Sequence, residues 1–210
     1  MTSASAVCSA TARKPPERGT RPLLIGQAPG PNTDPGVPLS GASGRRLAAL
    51  CGLGLDEFLA LFDRANLLPE FPGKLGKGDR FVPAALARPL ARAMMPRCAD
   101  RRVVLLGNHV AAAFGWRASW LRWSIAPAAA GPYHQDAILA VRAGAVVARG
   151  RHPPEAQVVA GERVRDVAPP LFAVSPHPSG ISRWWNDPAN VRRARRFWRR
   201  LARDAKSDLE

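Results

Sequence analysis

Apolar positions along the chain fall into two patterns, short unbroken runs and longer stripes at three- and four-residue spacing. Pro22-Leu23-Leu24-Ile25-Gly26 is a short run ending in glycine, and it predicts a buried strand. Arg101-Arg102-Val103-Val104-Leu105-Leu106-Gly107 repeats the pattern more clearly. Weaker versions cover residues 64–68, before Pro69, and residues 169–175, before Pro176. Between these runs, helices are expected over residues 43–50, 56–62 and 83–95, and a helix start over 110–114. Residues 137–147 read as strand-like, with a glycine interruption that suggests a hairpin. Strands alternating with helices predict an α/β domain with a mostly parallel sheet. Ligands of such sheets bind at the carboxyl ends of the strands. The unusual polar residues all stand at such ends: Gln27-Ala28-Pro29-Gly30, Asn66, Asn108-His109 and His177-Pro178-Ser179.

The longest stripe is C-terminal. Asp187 can cap a helix with Pro188 at its first position. Val191, Ala194, Phe197, Trp198, Leu201 and Ala205 then recur on one face. The other faces carry Arg192, Arg193, Arg195, Arg196, Arg199, Arg200 and Arg203, with no acidic residue among them before Asp204. Such a cluster repels itself unless an anion lies close, so the helix is either a phosphate-binding face or a plain basic surface.

Charge extends this picture to the whole chain. Among 210 residues, 31 Lys+Arg face 16 Asp+Glu, a net charge of +15. The surplus points to a polyanionic partner. Hydrophobic content of 46% excludes a disordered tail protein. No uninterrupted apolar stretch approaches the ~20 residues of a membrane span. The length fits one domain, expected over residues 22–206 after a flexible tail at 1–21. That tail has no apolar core of a signal peptide, so the expected compartment is cytoplasmic. Cys8, Cys51 and Cys98 are too far apart for a local metal motif and are expected to be buried or incidental thiols, with no metal and no cofactor.

Two short segments carry the candidate chemistry. Gly26-Gln27-Ala28-Pro29-Gly30 allows close backbone approach and offers amides to an anion, but it lacks dinucleotide-site or P-loop spacing. His177-Pro178-Ser179-Gly180 has no nucleophile elbow beside it. Together, about 150 residues apart and each after a strand, they resemble motifs A and B of the uracil-DNA glycosylase superfamily. Gly36-Val37-Pro38-Leu39-Ser40-Gly41-Ala42-Ser43-Gly44 is similar to the G-x-P-F-x-G-x-S-G stretch of its iron–sulphur branch. Gly180-Ile181-Ser182-Arg183 is close to the G-L-S-R of its mismatch-directed branch. The resemblance covers residues 22–203 and implies a three-layer αβα fold around a mostly parallel four-stranded sheet.

It also implies roles. Asn66 would read the uracil edge through its paired amide donor and acceptor. His177 would donate to O2 as the glycosidic bond breaks, with backbone amides near Gln27 and Ala28 assisting. Ile181 would be the wedge that fills the vacated stack. Ser43, Ser179, Ser182, Arg183 and Arg192 would contact phosphates. Ala28, Gly30 and Leu39 would line the base pocket, with Gly30 where strict uracil enzymes carry a gating Tyr and Leu39 where others carry a stacking Phe. No iron–sulphur cluster is expected, since three cysteines cannot supply that branch's four.

The chain departs from the pattern where water is activated. Both motif A positions that hold a carboxylate or Asn in relatives are neutral here, Gln27 and Ala28, and Ala42 replaces an Asp used by another branch. Asp34 is the nearest carboxylate, and it is either a water-activating group or a turn residue of Asn32-Thr33-Asp34-Pro35. The expected function is a monomeric, cofactor-free glycosylase that removes uracil from single- or double-stranded DNA at the bacterial nucleoid, with no membrane partner. The alternatives are a weakly or non-catalytic binder of uracil-containing or abasic DNA, and an unrelated basic nucleotide-binding protein. Trp184-Trp185 would either stack on bases or pack under the last helix, and residues 73–80 would either track the backbone or form a solvated turn.

Overall fold

The computed structural model describes residues 21–76, 78–116, 120–125, 170–179 and 182–210. Nearly all of the expected tail and the strand-like segment at 137–147 lie outside these residues. Strands β1 (Leu23–Gly26), β2 (Asp63–Asn66), β5 (Arg102–Leu106) and β7 (Leu171–Ser175) form a parallel sheet in the order β2-β1-β5-β7. A two-residue strand, β6 (Ser124–Ile125), joins the β7 edge antiparallel. The sheet is therefore the expected four parallel strands plus one short edge strand.

Side-chain alternation explains why β1 and β5 read as unbroken apolar runs. Leu24, Val104 and Leu106 face one helical layer, while Leu23, Ile25, Val103 and Leu105 face the other. The first layer holds α1 (Ala42–Cys51), α2 (Leu55–Leu61) and the C-terminal helix (Pro188–Ser207), packed through Leu47, Phe58, Trp198 and Leu201. The second holds α3 (Ala84–Cys98) and α4 (Asn108–Ala113), packed through Ala87, Ala91, Cys98, Val110 and Ala111. Helix α3 outruns the expected end at residue 95 and passes through Pro89 and Pro96. Its small residues Ala87 and Ala91 and the following Met94 and Cys98 keep one buried face, and that packing outweighs the two proline penalties.

Asp187 caps the C-terminal helix as expected, accepting the Ala189 amide at 2.8 Å. Its acidic residues serve the fold: Asp204 and Asp208 bind Arg102 at 2.8 and 2.5 Å. Arg193 donates to the Trp120 carbonyl at 2.6 Å. Cys51 and Cys98 lie in opposite layers, and burial pushes each thiol up to about 12. The sheet between them prevents these two from sharing a metal ion. No helix among the described residues is long and apolar enough to cross a membrane.

Candidate active site

The chain leaves β1 toward the α1 layer and leaves β5 toward the α4 layer. Connections that part to opposite faces open a crevice between the two strand ends. Four adjacent strand ends meet there. Gly26 closes β1, Asn66 closes β2, Gly107 follows β5, and His177 follows β7 by two residues.

Gly26 and Asn66 are register partners, and the Asn66 Oδ1 lies 3.0 Å from where a Gly26 Cβ would stand. The glycine thus makes room for the amide. That amide makes no hydrogen bond to a described residue and remains available to a ligand. Across the crevice, Gly107 adopts φ +99°, and a Cβ there would meet the His177 Cβ at 3.2 Å. Its amide donates to the Ser175 carbonyl at 2.8 Å. Gly107→Ala should cost about 1–3 kcal/mol through the disallowed φ and the crowded histidine; a denaturant titration reads it, and an unchanged midpoint would show that the loop yields freely.

His177 is held by its own loop. The Ser179 backbone N–H donates to Nδ1 at 3.2 Å, and the Ser179 Oγ lies 2.8 Å from the same nitrogen. A backbone amide can only donate, so Nδ1 must carry a lone pair and the proton sits on Nε2. Burial lowers the His177 pKa, with His109 adding to the effect and Asp79 opposing it. The ring is therefore neutral at pH 7. Nε2 has no hydrogen-bond partner among the described residues and is not sealed from solvent. Trp185 Nε1 fixes the loop by donating to the His177 carbonyl at 2.8 Å, and Arg46 reaches the Pro178 carbonyl at 3.4 Å while lying over the Trp185 ring. Trp185 is buried, and Trp184 packs on Trp120 at 6.5 Å, so the tryptophan pair belongs to the interior.

The motif A loop is tied down differently from the simplest expectation. Gln27 turns its Nε2 to the Arg80 carbonyl at 3.2 Å. Ala28 follows it, partly buried. Gly30 accepts the Thr33 amide at 3.1 Å, and a Cβ there would strike the Thr33 hydroxyl at 2.8 Å, so a turn accounts for this glycine. Asp34 accepts the Gly36 amide on Oδ1 at 2.8 Å, which is the turn role. Leu39 takes φ +62° and packs against the α1 layer. Ser43 stands in the first turn of α1, and Ser182 and the exposed Arg183 open the 3-10 turn Arg183–Asn186. Arg192 is exposed in the second turn of the C-terminal helix. Ile181 lies outside the described residues.

Sequence reasoning missed Gly107, Arg46 and Asp79 as parts of this site, and the bond from Trp185 to the His177 carbonyl. Gly107 carried a faint signal, a glycine closing an apolar run. Arg46 acts across 132 residues, and Asp79 from a loop far from His177 in the chain. Trp185 lies only 8 residues past His177, behind a turn too short to show a period. It also missed a hairpin in the basic loop, β3 (Lys74–Leu75) paired with β4 (Gly78–Asp79).

An open α/β sheet with a histidine and an amide converging at its switch point defines a ligand-binding crevice of the doubly wound kind. The family model described as the uracil DNA glycosylase superfamily matches residues 15–202, and the chain belongs to that superfamily. Membership carries a DNA glycosylase-type function, a hydrolase of base excision repair acting on DNA. No curated protein matches the chain.

Proposed function

We propose that the protein excises uracil from DNA as a monofunctional glycosylase, leaving an abasic site. The observation that carries this reading is the Ser179 amide on His177 Nδ1, which makes Nε2 a fixed neutral donor. As the C1′–N1 bond breaks, its electron pair passes to the pyrimidine and charge accumulates on O2, where an oriented N–H is worth most. Asn66, across the crevice, presents an unengaged amide to O4 and N3–H. Thymine shares that edge, and Gly30 leaves no aromatic gate against its methyl group. Other 5-substituted or deaminated bases are therefore expected substrates too. Activity confined to uracil across such a panel would contradict an open pocket.

Water attack at C1′ needs less help than leaving-group stabilisation. General-base catalysis contributes ~10²–10⁴-fold, so a chain without the motif A carboxylate remains a slow enzyme. Asp34 keeps one carboxylate oxygen beyond its turn bond and is the proposed acceptor of the water proton. Arg183, Arg192, Ser43 and Ser182 are the proposed phosphate contacts; Ser179 spends its hydroxyl beside His177. The protein is expected to act as a monomer.

Incubation with a labelled uracil-containing oligonucleotide, followed by alkali, tests the reading. Strand scission supports it, while a retarded band without scission identifies a non-catalytic binder. The neutral histidine also sets a pH dependence. Its folded pKa lies below the ordinary 6.5, so between the two values the unfolded chain binds more protons. Stability should fall as pH drops from 6.5 through the folded value and be insensitive to this group above 6.5. Thermal unfolding of the wild type and His177→Gln between about pH 8 and 5 measures the difference; parallel curves would contradict it.

A further inference from the structure

The β3–β4 hairpin lies where the chain passes from β2 toward α3, and two contacts hold it across the strand ends. Gln27, at the end of β1, binds the Arg80 carbonyl at its base. The Phe81 ring stacks on His109, just past β5, at 3.9 Å and 10°. The Arg80 amide closes the neck on the Gly73 carbonyl at 2.9 Å. The hairpin is therefore attached to the same crevice rim as Asn66 and His177.

Its outer end is built unlike a solvated turn. Leu75 is 69% exposed, next to an exposed Lys74. Gly73 and Gly76 bracket the pair at φ +88° and +63°, and a Cβ at either would meet nothing within 4 Å. The Leu75 strand thus stands out into open space. Lys74 pairs in register with Asp79, and Arg80 is exposed at the neck. A lone exposed leucine is ordinary. An apolar side chain beside cations, on a projecting hairpin at the rim of a base-excising crevice, matches the chemistry of an element entering a base stack, where the cations meet phosphates.

We propose that the β3–β4 hairpin inserts Leu75 into duplex DNA beside the flipped nucleotide, as a stacking wedge separate from the motif B loop. This rests on the reading of the crevice as a DNA glycosylase site. It makes Leu75 a positioning residue for duplex substrates and leaves single strands, which have no stack to open, indifferent to it.

The test uses the full chain and two readouts. A duplex carrying 2-aminopurine beside a tetrahydrofuran abasic analogue reports unstacking by its fluorescence. Excision from matched single- and double-stranded uracil oligonucleotides gives a rate ratio. Leu75→Ala should abolish most of the fluorescence rise and lower the duplex rate roughly tenfold or more, by the loss of one buried leucine, with the single-strand rate unchanged. Leu75→Met should retain both. An unchanged unfolding midpoint confirms that the exposed position leaves the fold intact. A full fluorescence rise and an unchanged ratio in Leu75→Ala would overturn the proposal, as would a concentration-dependent self-association lost in that variant, which would assign the tip to a second copy. Absence of excision from either strand would sink the enzyme reading alone, since the fluorescence still decides the hairpin.

Discussion

Replacing His177 with alanine is expected to slow single-turnover excision by about 10²–10³-fold while leaving DNA affinity nearly unchanged. The magnitude follows from what the ring supplies. Nδ1 is occupied by the Ser179 amide at 3.2 Å, so the proton stands on Nε2 without any reorganisation during the reaction. Its depressed pKa keeps it a neutral donor, able to bond the charge gathering on O2 without adding a positive charge beside the sugar's developing cation. Ser179→Ala removes only the hydroxyl at 2.8 Å and keeps the backbone donor, so it should cost far less. Rapid-quench measurements with protein in excess separate the two variants. Equal losses would mean that the hydroxyl, not the amide, orients the ring.

Gly44→Ala is expected to be the most damaging small substitution in the fold. A Cβ at this position would lie 1.6 Å from the Leu39 carbonyl oxygen, inside any contact that atoms tolerate. Leu39 is held at φ +62° so that its carbonyl passes over the start of α1, and a methyl group there must push that backbone away. Loss of this seating should cost about 3–5 kcal/mol, among the largest single-residue effects. For a domain of this size it would lower Tm by roughly 6–20 °C. Calorimetry reads the shift. A change under about 1 kcal/mol would show that the 39–44 turn has a second, equally good conformation.

Both expectations rest on residues the sequence singled out, and the reason is local. His177 stands two residues after an apolar run, and Gly44 closes a glycine-spaced stretch, so neighbours in the chain announce them. Asn66 lies inside the weak 64–68 run, and β2 (Asp63–Asn66) ends on it instead of passing through. Strands β1 and β5 were legible because burial on both faces leaves no polar position to blur the run. The C-terminal helix was legible from its stripe and its Asp187-Pro188 start. Strands β3, β4 and β6 were not, because two residues set no period. The 3-10 turn at Arg183–Asn186 hid for the same reason, and with it the bond from Trp185 to the His177 carbonyl. Arg46 reaches Pro178 across 132 residues, a distance over which a single sequence carries no signal. Asp34 was ambiguous between turn and catalysis, and its bond to the Gly36 amide shows the turn role at work.

The basic surface gains a finer division. Arg101 and Arg102 belong to the fold, bound to Asp63 and to Asp204 and Asp208. Arg193 braces Trp120. Arg195, Arg196, Arg199 and Arg200 make no ion pair among the described residues and remain for an external polyanion.

The central claim, that this crevice breaks the bond between uracil and deoxyribose, is tested most directly by counting released base. Protein in excess over a uracil-labelled duplex should liberate free uracil in amounts approaching the DNA present, with equal numbers of alkali-labile sites. His177→Ala and Asn66→Ala should both suppress the release. Tight DNA binding with no free uracil, or an Asn66→Ala variant of full activity, would contradict the account.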